Sequence, residues 1–231
     1  MSIDPEQKAQ WLYELRLNGF ILFRNFLPLA LIESMREQFN PLLEGELIRI
    51  RSGDGSALRG DNRLSFDIAA YVQHLKGPLD DDRFRRNPLI EELVTAVLGR
   101  WRYGVTKAEC PLRDSNVMTW HPDVPNDTPC DPSGAVRPVR LTFNLPLVDI
   151  DETKGPMQIL PGSHRLHHGD APLHIDRVPL LYPATITMRR GDAMLRDGNA
   201  LHRGTTNRTE EPRILLDQTY RSAEAGPVPL S

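Results

Sequence analysis

The sequence has no long hydrophobic run and no basic leader. No stretch of about 18 apolar residues occurs, so we expect no transmembrane helix. The N-terminal segment carries Asp4 and Glu6 instead of basic residues, and the apolar patch at residues 20–23 is too short for a signal peptide. These features predict a cytoplasmic chain that does not associate with a membrane.

Cysteines and surplus charge are also scarce. The chain has two cysteines, Cys110 and Cys130, which are able to pair, although nothing in the sequence requires a disulfide. A formal net charge of −3 argues against a dedicated nucleic-acid binder. We therefore expect no nucleic-acid partner and a reducing compartment; the composition gives no indication of the oligomeric state.

The 231 residues are expected to form a single domain, because all-β barrels often reach this size undivided. In residues 1–100, a helix buttress with the first strands is predicted from capping signals and helical apolar spacing. The predicted elements are a helix that begins at Asp4 and Pro5, a strand at 19–24, a helix bearing Leu31, Met35, Phe39 and Leu42, a strand at 47–51, and a helix between Asn87 and Gly99.

From Trp101 onward the apolar period changes to two, which is typical of strands. Glycine and proline turns separate eight predicted strands, at 101–109, 115–121, 139–147, 157–160, 184–189, 192–196, 200–203 and 213–220. This pattern predicts a mainly β fold with flanking helices, a double-stranded β-helix (jelly roll, cupin-like) whose core spans residues 101–221 and contains the metal site.

The residues around His121 indicate a metal site. His121 and Asp123 stand two positions apart at a predicted strand end, so both side chains are able to reach one point. A distant His202 would complete two histidines and one carboxylate, the ligand set of non-haem Fe(II) oxygenases. Arg213, eleven positions after His202, suits bidentate binding of a carboxylate.

The order of motifs around these residues resembles the phytanoyl-CoA dioxygenase family of Fe(II)- and 2-oxoglutarate-dependent oxygenases. The resemblance covers roughly residues 100–221. It rests on five ordered elements: the His121-x-Asp123 pair, the Gly155 to His164 loop with Pro161-Gly162-Ser163, the Gly191-Asp192 strand start, His202 and Arg213.

The resemblance implies a dioxygenase that uses Fe(II), 2-oxoglutarate and O2, hydroxylates a small metabolite or natural-product intermediate, and releases succinate and CO2. His121, Asp123 and His202 would be the catalytic metal ligands, and Arg213 would bind the far carboxylate of 2-oxoglutarate. Asn144 stands where family members often have a tryptophan lining the cosubstrate pocket, so we consider it and Lys107 as further cosubstrate contacts.

Two other functions remain open from the sequence: a cupin-like metal enzyme that does not use 2-oxoglutarate, and a ligand-binding β-helix without redox activity. Arg213 argues against the first and the complete metal triad against the second. Three further features carry hypotheses: an arginine that holds an anionic substrate, a flap over the iron at 126–134, and a histidine cluster at 164–174, which we interpret as ordinary loop residues. The candidate arginines are Arg49, Arg51, Arg59 and Arg63.

Overall fold

A computed structural model of the chain describes residues 4–124, 136–166 and 182–224. Within these residues no helix has the length and apolar character needed to cross a membrane. The predicted flap at 126–134 lies outside the described residues, and so does the histidine cluster apart from His164.

Among the described residues five α-helices flank the sheets: α1 (Pro5–Asn18), α2 (Leu29–Arg51), α3 (Ala69–Leu75), α4 (Asp82–Arg85) and α5 (Pro88–Leu98). Side-chain caps mark the N-termini of α1 and α5, as predicted. The Asp4 side chain accepts a hydrogen bond from the amide of Glu6, and the Asn87 side chain accepts two at the start of α5. The predicted strand at 47–51 is wrong, because α2 continues through it. Phe39, Leu43 and Leu47 continue one helical stripe that packs on the core, and this stripe outweighs the local alternation.

In the described part of the chain, nine strands form two sheets. They are β1 (Phe20–Phe23), β2 (Arg63–Asp67), β3 (Trp101–Pro111), β4 (Arg140–Pro146), β5 (Met157–Ile159), β6 (Ala184–Ile186), β7 (Ala193–Asp197), β8 (His202–Gly204) and β9 (Leu215–Ser222). The large sheet has the order β1-β7-β4-β9-β3-β2, and the small sheet has the order β6-β5-β8. All registered pairs within them are antiparallel.

Of the eight strands predicted from Trp101 onward one is absent, and one strand in the first hundred residues was missed. Residues 115–121 are not a strand; they run beside β8, and their backbone hydrogen bonds to it are limited to the amide of Met118 and the isolated bridge from His121 to His202. Strand β2 was not predicted, because its alternation of apolar and polar residues is short and it begins and ends with a charged residue. The two-sheet jelly roll with flanking helices is nevertheless confirmed.

The large sheet has an apolar face toward the helices and a mostly polar face toward the small sheet. Phe143 of β4 and Phe66 of β2 point to the helices, where their rings contact Phe84 and Phe39. Since side chains alternate along a strand, the intervening positions face the small sheet. Those positions are mostly polar or charged: Arg140, Thr142 and Asn144 on β4, Lys107 and Glu109 on β3, Asp217 and Thr219 on β9, and Arg196 on β7.

Candidate active site

An isolated backbone bridge between His121 and the first residue of β8 brings the two predicted histidine ligands together. The amide of His121 donates to the carbonyl of His202, and the amide of His202 donates to the carbonyl of His121, each at 3.1 Å. The two imidazole rings consequently lie with centroids 4.5 Å apart. In each ring Nδ1 faces a backbone carbonyl, that of Thr119 at 2.8 Å and that of Ala200 at 2.9 Å.

Asp123 completes the cluster from the next turn of the chain. Its amide donates to the carbonyl of Gly198 at 2.7 Å, and its Oδ1 lies 3.7 Å from Nε2 of His202. On the other side of the carboxylate, Oδ2 lies 2.7 Å from Nη1 of Arg196 and 3.7 Å from Nη2 of Arg140. Burial opposes ionisation of Asp123, but the positive charges of Arg196 and Arg140 outweigh it and hold the pKa far below its usual range.

The donor set fits a divalent transition metal. Potential ligand atoms of His121, Asp123 and His202 all lie within 4.8 Å of one another. A histidine that donates through Nδ1 to a carbonyl keeps the Nε2 lone pair for a metal, which is the usual arrangement around ligating histidines. Burial, assisted by the charge of Arg196, lowers the pKa of His202 to about 3, so this imidazole is neutral and its lone pair is available.

A cavity of about 320 Å³ opens beside the three residues, between the two sheets. Most of its described lining is polar, and six basic side chains outnumber three acidic ones. The basic residues are Arg59, Arg63, Lys107, Arg140, Arg196 and Arg213; the acidic ones are Glu109, Asp123 and Asp217. No phenylalanine, tyrosine or tryptophan lines it among the described residues.

Arg213 lies just before β9 with its side chain buried in this cavity. One guanidinium nitrogen, Nη1, donates to the carbonyl of Gly155 at 2.8 Å, and Nε has no protein partner in the part of the chain that the structure describes. Burial lowers the pKa of Arg213, while Glu109 and Asp217 oppose that shift. A buried cation with a free donor edge is suited to bind a carboxylate.

Asn144 reaches the cavity through its neighbour instead of lining it. Its amide nitrogen donates to Oδ1 of Asp217, the residue opposite it on β9, and Asp217 lines the cavity. Burial, together with repulsion from Glu109, raises the pKa of Asp217 to about 7. A contact between Asn144 and 2-oxoglutarate therefore stays a prediction.

The other predicted basic residues divide into two groups. Lys107, Arg59 and Arg63 line the cavity. Arg49 instead pairs with Glu46 and Asp54 at the surface, and Arg51 is solvent-exposed at the end of α2. The structure therefore brings together two of the four arginines considered for an anionic substrate, together with Lys107.

Arg63 is fixed within the protein by two backbone carbonyls. Its Nε donates to Asn116 at 2.8 Å and its Nη2 donates to Thr205. Burial, with the charge of Arg213 nearby, lowers the pKa of Arg63 to about 10. Its guanidinium thus belongs to the same basic wall as Arg213.

His164 has a structural role. It is buried, its Nε2 lies 3.1 Å from the carbonyl of Arg16, and burial lowers its pKa to about 4. Ser163 is likewise structural: its hydroxyl donates to the carbonyl of Leu160 and accepts from the amide of Leu201. The described part of this loop supports helix packing instead of a second metal site.

The sequence reasoning missed Arg196, the residue nearest to the Asp123 carboxylate. Arg196 is 3% exposed and sits in the otherwise apolar run Ala193-Met194-Leu195 of β7. A single arginine inside a buried strand was the available signal, since such a charge requires a partner. Glu109 was missed as well, and no sequence pattern distinguishes it from a surface residue.

Several solved structures share this fold at low sequence identity. AviO1 from Streptomyces viridochromogenes Tue57 is 19% identical, with a TM-score of 0.69, covering 99% of this chain and 100% of that one. HygX from Streptomyces hygroscopicus, solved with nickel and 2-oxoglutarate bound, is 17% identical, with a TM-score of 0.65 and coverage of 96% and 89%. The non-heme alpha ketoglutarate dependent epimerase SnoN from nogalamycin biosynthesis is 21% identical, with a TM-score of 0.66 and coverage of 95% and 82%. At these identities the likeness shows the fold alone.

A family comparison extends further than the structural likeness. The sequence model described as phytanoyl-CoA dioxygenase (PhyH) matches residues 15–215, well beyond the segment that carries the recognisable motifs. The match includes the His121-Asp123-His202 cluster and Arg213 in one continuous span. The chain therefore belongs to the phytanoyl-CoA dioxygenase family, as the order of its motifs predicted.

Proposed function

We propose that this chain is an Fe(II)- and 2-oxoglutarate-dependent dioxygenase that hydroxylates a small polar molecule. The observation that carries this proposal is the open His121-Asp123-His202 cluster, which faces the same cavity as the buried guanidinium of Arg213. A metal with one occupied face next to a carboxylate anchor is the arrangement required for a keto-acid cosubstrate.

In this proposal His121 and His202 bind iron through Nε2, and Asp123 binds it through Oδ1. The carbonyls of Thr119 and Ala200 fix the two imidazoles by accepting from Nδ1. Arg196 holds Oδ2 of Asp123 and so favours ligation through a single oxygen. When bound, the metal and 2-oxoglutarate supply the oxidation chemistry with O2, and the protein supplies binding and orientation.

Arg213 anchors the far carboxylate of 2-oxoglutarate, since its Nη1 bond to Gly155 orients the remaining donors into the cavity. Lys107 and Asn144 are the further contacts that we propose for the cosubstrate, Asn144 through the carboxyl of Asp217. HygX and EctD, the second from S. alaskensis, were each solved with 2-oxoglutarate bound, which supports this cosubstrate here.

Epimerisation is a second candidate outcome at the same centre. SnoN has this fold and is described as an alpha ketoglutarate dependent epimerase, so the fold alone does not select hydroxylation. The two outcomes differ in the product, because hydroxylation adds 16 mass units from one oxygen atom, whereas epimerisation leaves the mass unchanged. Mass spectrometry with ¹⁸O2 distinguishes them.

The test is iron-dependent succinate formation from 2-oxoglutarate. We expect the wild-type chain to form succinate only with Fe(II) and O2, and His202→Ala to reduce this activity to background. His74→Ala is the matched control, because His74 is an exposed histidine of α3 outside the cluster. Full activity in His202→Ala at limiting iron would contradict the ligand assignment.

A further inference from the structure

A row of three arginines crosses the inner face of the large sheet at one end. Arg102 of β3 and Arg140 of β4 are both direct register partners of Arg221 on β9. Directly paired residues project from the same face, so these three side chains are neighbours; we call them the arginine row. Burial and the charges of Arg140 and Arg102 lower the pKa of Arg221.

The row has almost no acidic partner. Arg102 and Arg221 form no side-chain hydrogen bond or ion pair with residues 4–124, 136–166 or 182–224. Arg140 lies 3.7 Å from Asp123, whose Oδ2 is already 2.7 Å from Arg196. Like charges directly opposite one another destabilise a sheet, so an uncompensated row has a cost that an anionic ligand would offset.

Two glycines make room for these side chains. A Cβ on Gly104 would collide with Oγ1 of Thr219 and lie 3.3 Å from Nε of Arg221. A Cβ on Gly198 would lie 3.1 Å from Cβ of Arg140. The backbone around the row is therefore shaped to keep the guanidiniums in place.

The row leads into the cavity beside the metal position. Arg140 and Arg196 both line the cavity, and each keeps a buried Nε without a hydrogen-bond acceptor. Fe(II) and 2-oxoglutarate carry opposite charges of equal size, so their binding would leave the cavity's excess of basic side chains unchanged. Unpaired N–H donors and excess positive charge therefore both remain available in the cavity for a third ligand, one that is anionic.

We propose that the substrate carries a phosphate or sulfate ester group that binds along the arginine row and places the carbon to be oxidised over the metal position. The oxidation itself rests on the proposed function. Neighbouring strands lie about 4.8 Å apart, so adjacent guanidiniums are able to donate to different oxygens of one tetrahedral group. The net charge of −3 argues against a nucleic-acid backbone as the ligand of the row.

The test is anion binding to the protein loaded with Ni(II) and saturating 2-oxoglutarate, which prevents turnover. Inorganic phosphate and acetate are titrated at constant ionic strength by calorimetry. We expect one phosphate to bind per chain and acetate to bind at least about tenfold more weakly. The affinity for phosphate should fall about tenfold or more in Arg221→Met and in Arg102→Met, the second at a solvent-exposed residue of the row. Arg203→Met is the matched control, since Arg203 stacks 4.5 Å from the Trp120 ring, outside the row.

A second titration compares glycerol 3-phosphate with glycerol and phosphoserine with serine, and we expect only the phosphorylated member of each pair to bind. Absence of saturable phosphate binding, or equal affinity in the wild type and both row variants, overturns the proposal; the latter result means an adventitious ion only. A separate titration of the Ni(II)-loaded protein with 2-oxoglutarate, before any anion is added, measures the affinity for the cosubstrate. Phosphate that fails to bind while 2-oxoglutarate binds contradicts the substrate class alone, whereas loss of 2-oxoglutarate binding contradicts the proposed function.

Discussion

At the scale of single residues, Arg213 makes the clearest prediction. Arg213→Ala should weaken 2-oxoglutarate binding by on the order of 2–5 kcal/mol, because the far carboxylate would lose its partner in a buried site. Affinity is measured anaerobically with iron present, and iron affinity should change little. Arg208→Ala, at an exposed arginine of the same loop, serves as the control. Equal 2-oxoglutarate affinity in both variants would favour the cupin-like enzyme that does not use a keto acid.

A second residue-scale prediction concerns the buried carboxyl of Asp197. Burial raises its pKa from 3.8 to about 7, so the folded protein holds the proton more tightly than the unfolded chain does. This contribution to stability is complete below about pH 4 and is lost as the pH rises through about 7. Asp197→Asn remains neutral and retains an acceptor for the amide of Asn199, so it should lose less stability than the wild type over this range.

The comparison uses urea unfolding at about pH 5 and pH 8. Asp217, whose pKa is also raised to about 7, is present in both proteins, and its effect cancels in the difference between them. A parallel loss of unfolding free energy in wild type and variant would show that Asp197 does not carry this dependence.

At the scale of secondary-structure elements, the N-terminus of α5 is a measurable stabilising feature. Oδ1 of Asn87 accepts from the amides of Leu89 at 3.0 Å and Ile90 at 3.3 Å, while Nδ2 donates to the carbonyl of Arg83 at 2.7 Å. Asn87→Ala should lower the free energy of unfolding by about 1–2 kcal/mol. Asn87→Asp keeps the side-chain acceptor and should lose less unfolding free energy than Asn87→Ala. Denaturant unfolding of the two variants measures this difference.

The elements also show what the sequence is able to specify. Local signals, such as the Asn87 cap and the period-two strands, predicted most elements. They placed His202 in a strand correctly, whereas the strand predicted to end at His121 is only an isolated bridge. The prediction of a strand at 47–51 was wrong because an alternation of only four or five residues is also compatible with a helical stripe, and tertiary packing selects between the two structures. Arg196 was missed because its role depends on the register between β4 and β7, a long-range pairing that no local pattern encodes.

At the scale of the whole molecule, most of the hydrophobic core lies on the helix side of the large sheet, away from the His121-Asp123-His202 cluster. Since the sequence predicts a single domain over 1–231, the metal-free chain should unfold in one cooperative transition. Ni(II) together with 2-oxoglutarate at about a hundredfold excess over Kd should add about 2.7 kcal/mol by binding only the folded state. Calorimetric scans measure both effects, and a Tm shift of the same size in His202→Ala would contradict binding at this site.

The order of the large sheet has a consequence for how the chain is divided. Strands β1 and β2, both from the first hundred residues, occupy its two outer positions and cover β7 and β3. A fragment beginning at Trp101 would retain every predicted metal ligand, but it would lack β1 and β2 and so leave β7 and β3 with unpaired backbone groups. Such open edges recruit other chains, so the fragment should self-associate and precipitate where the complete chain stays dispersed.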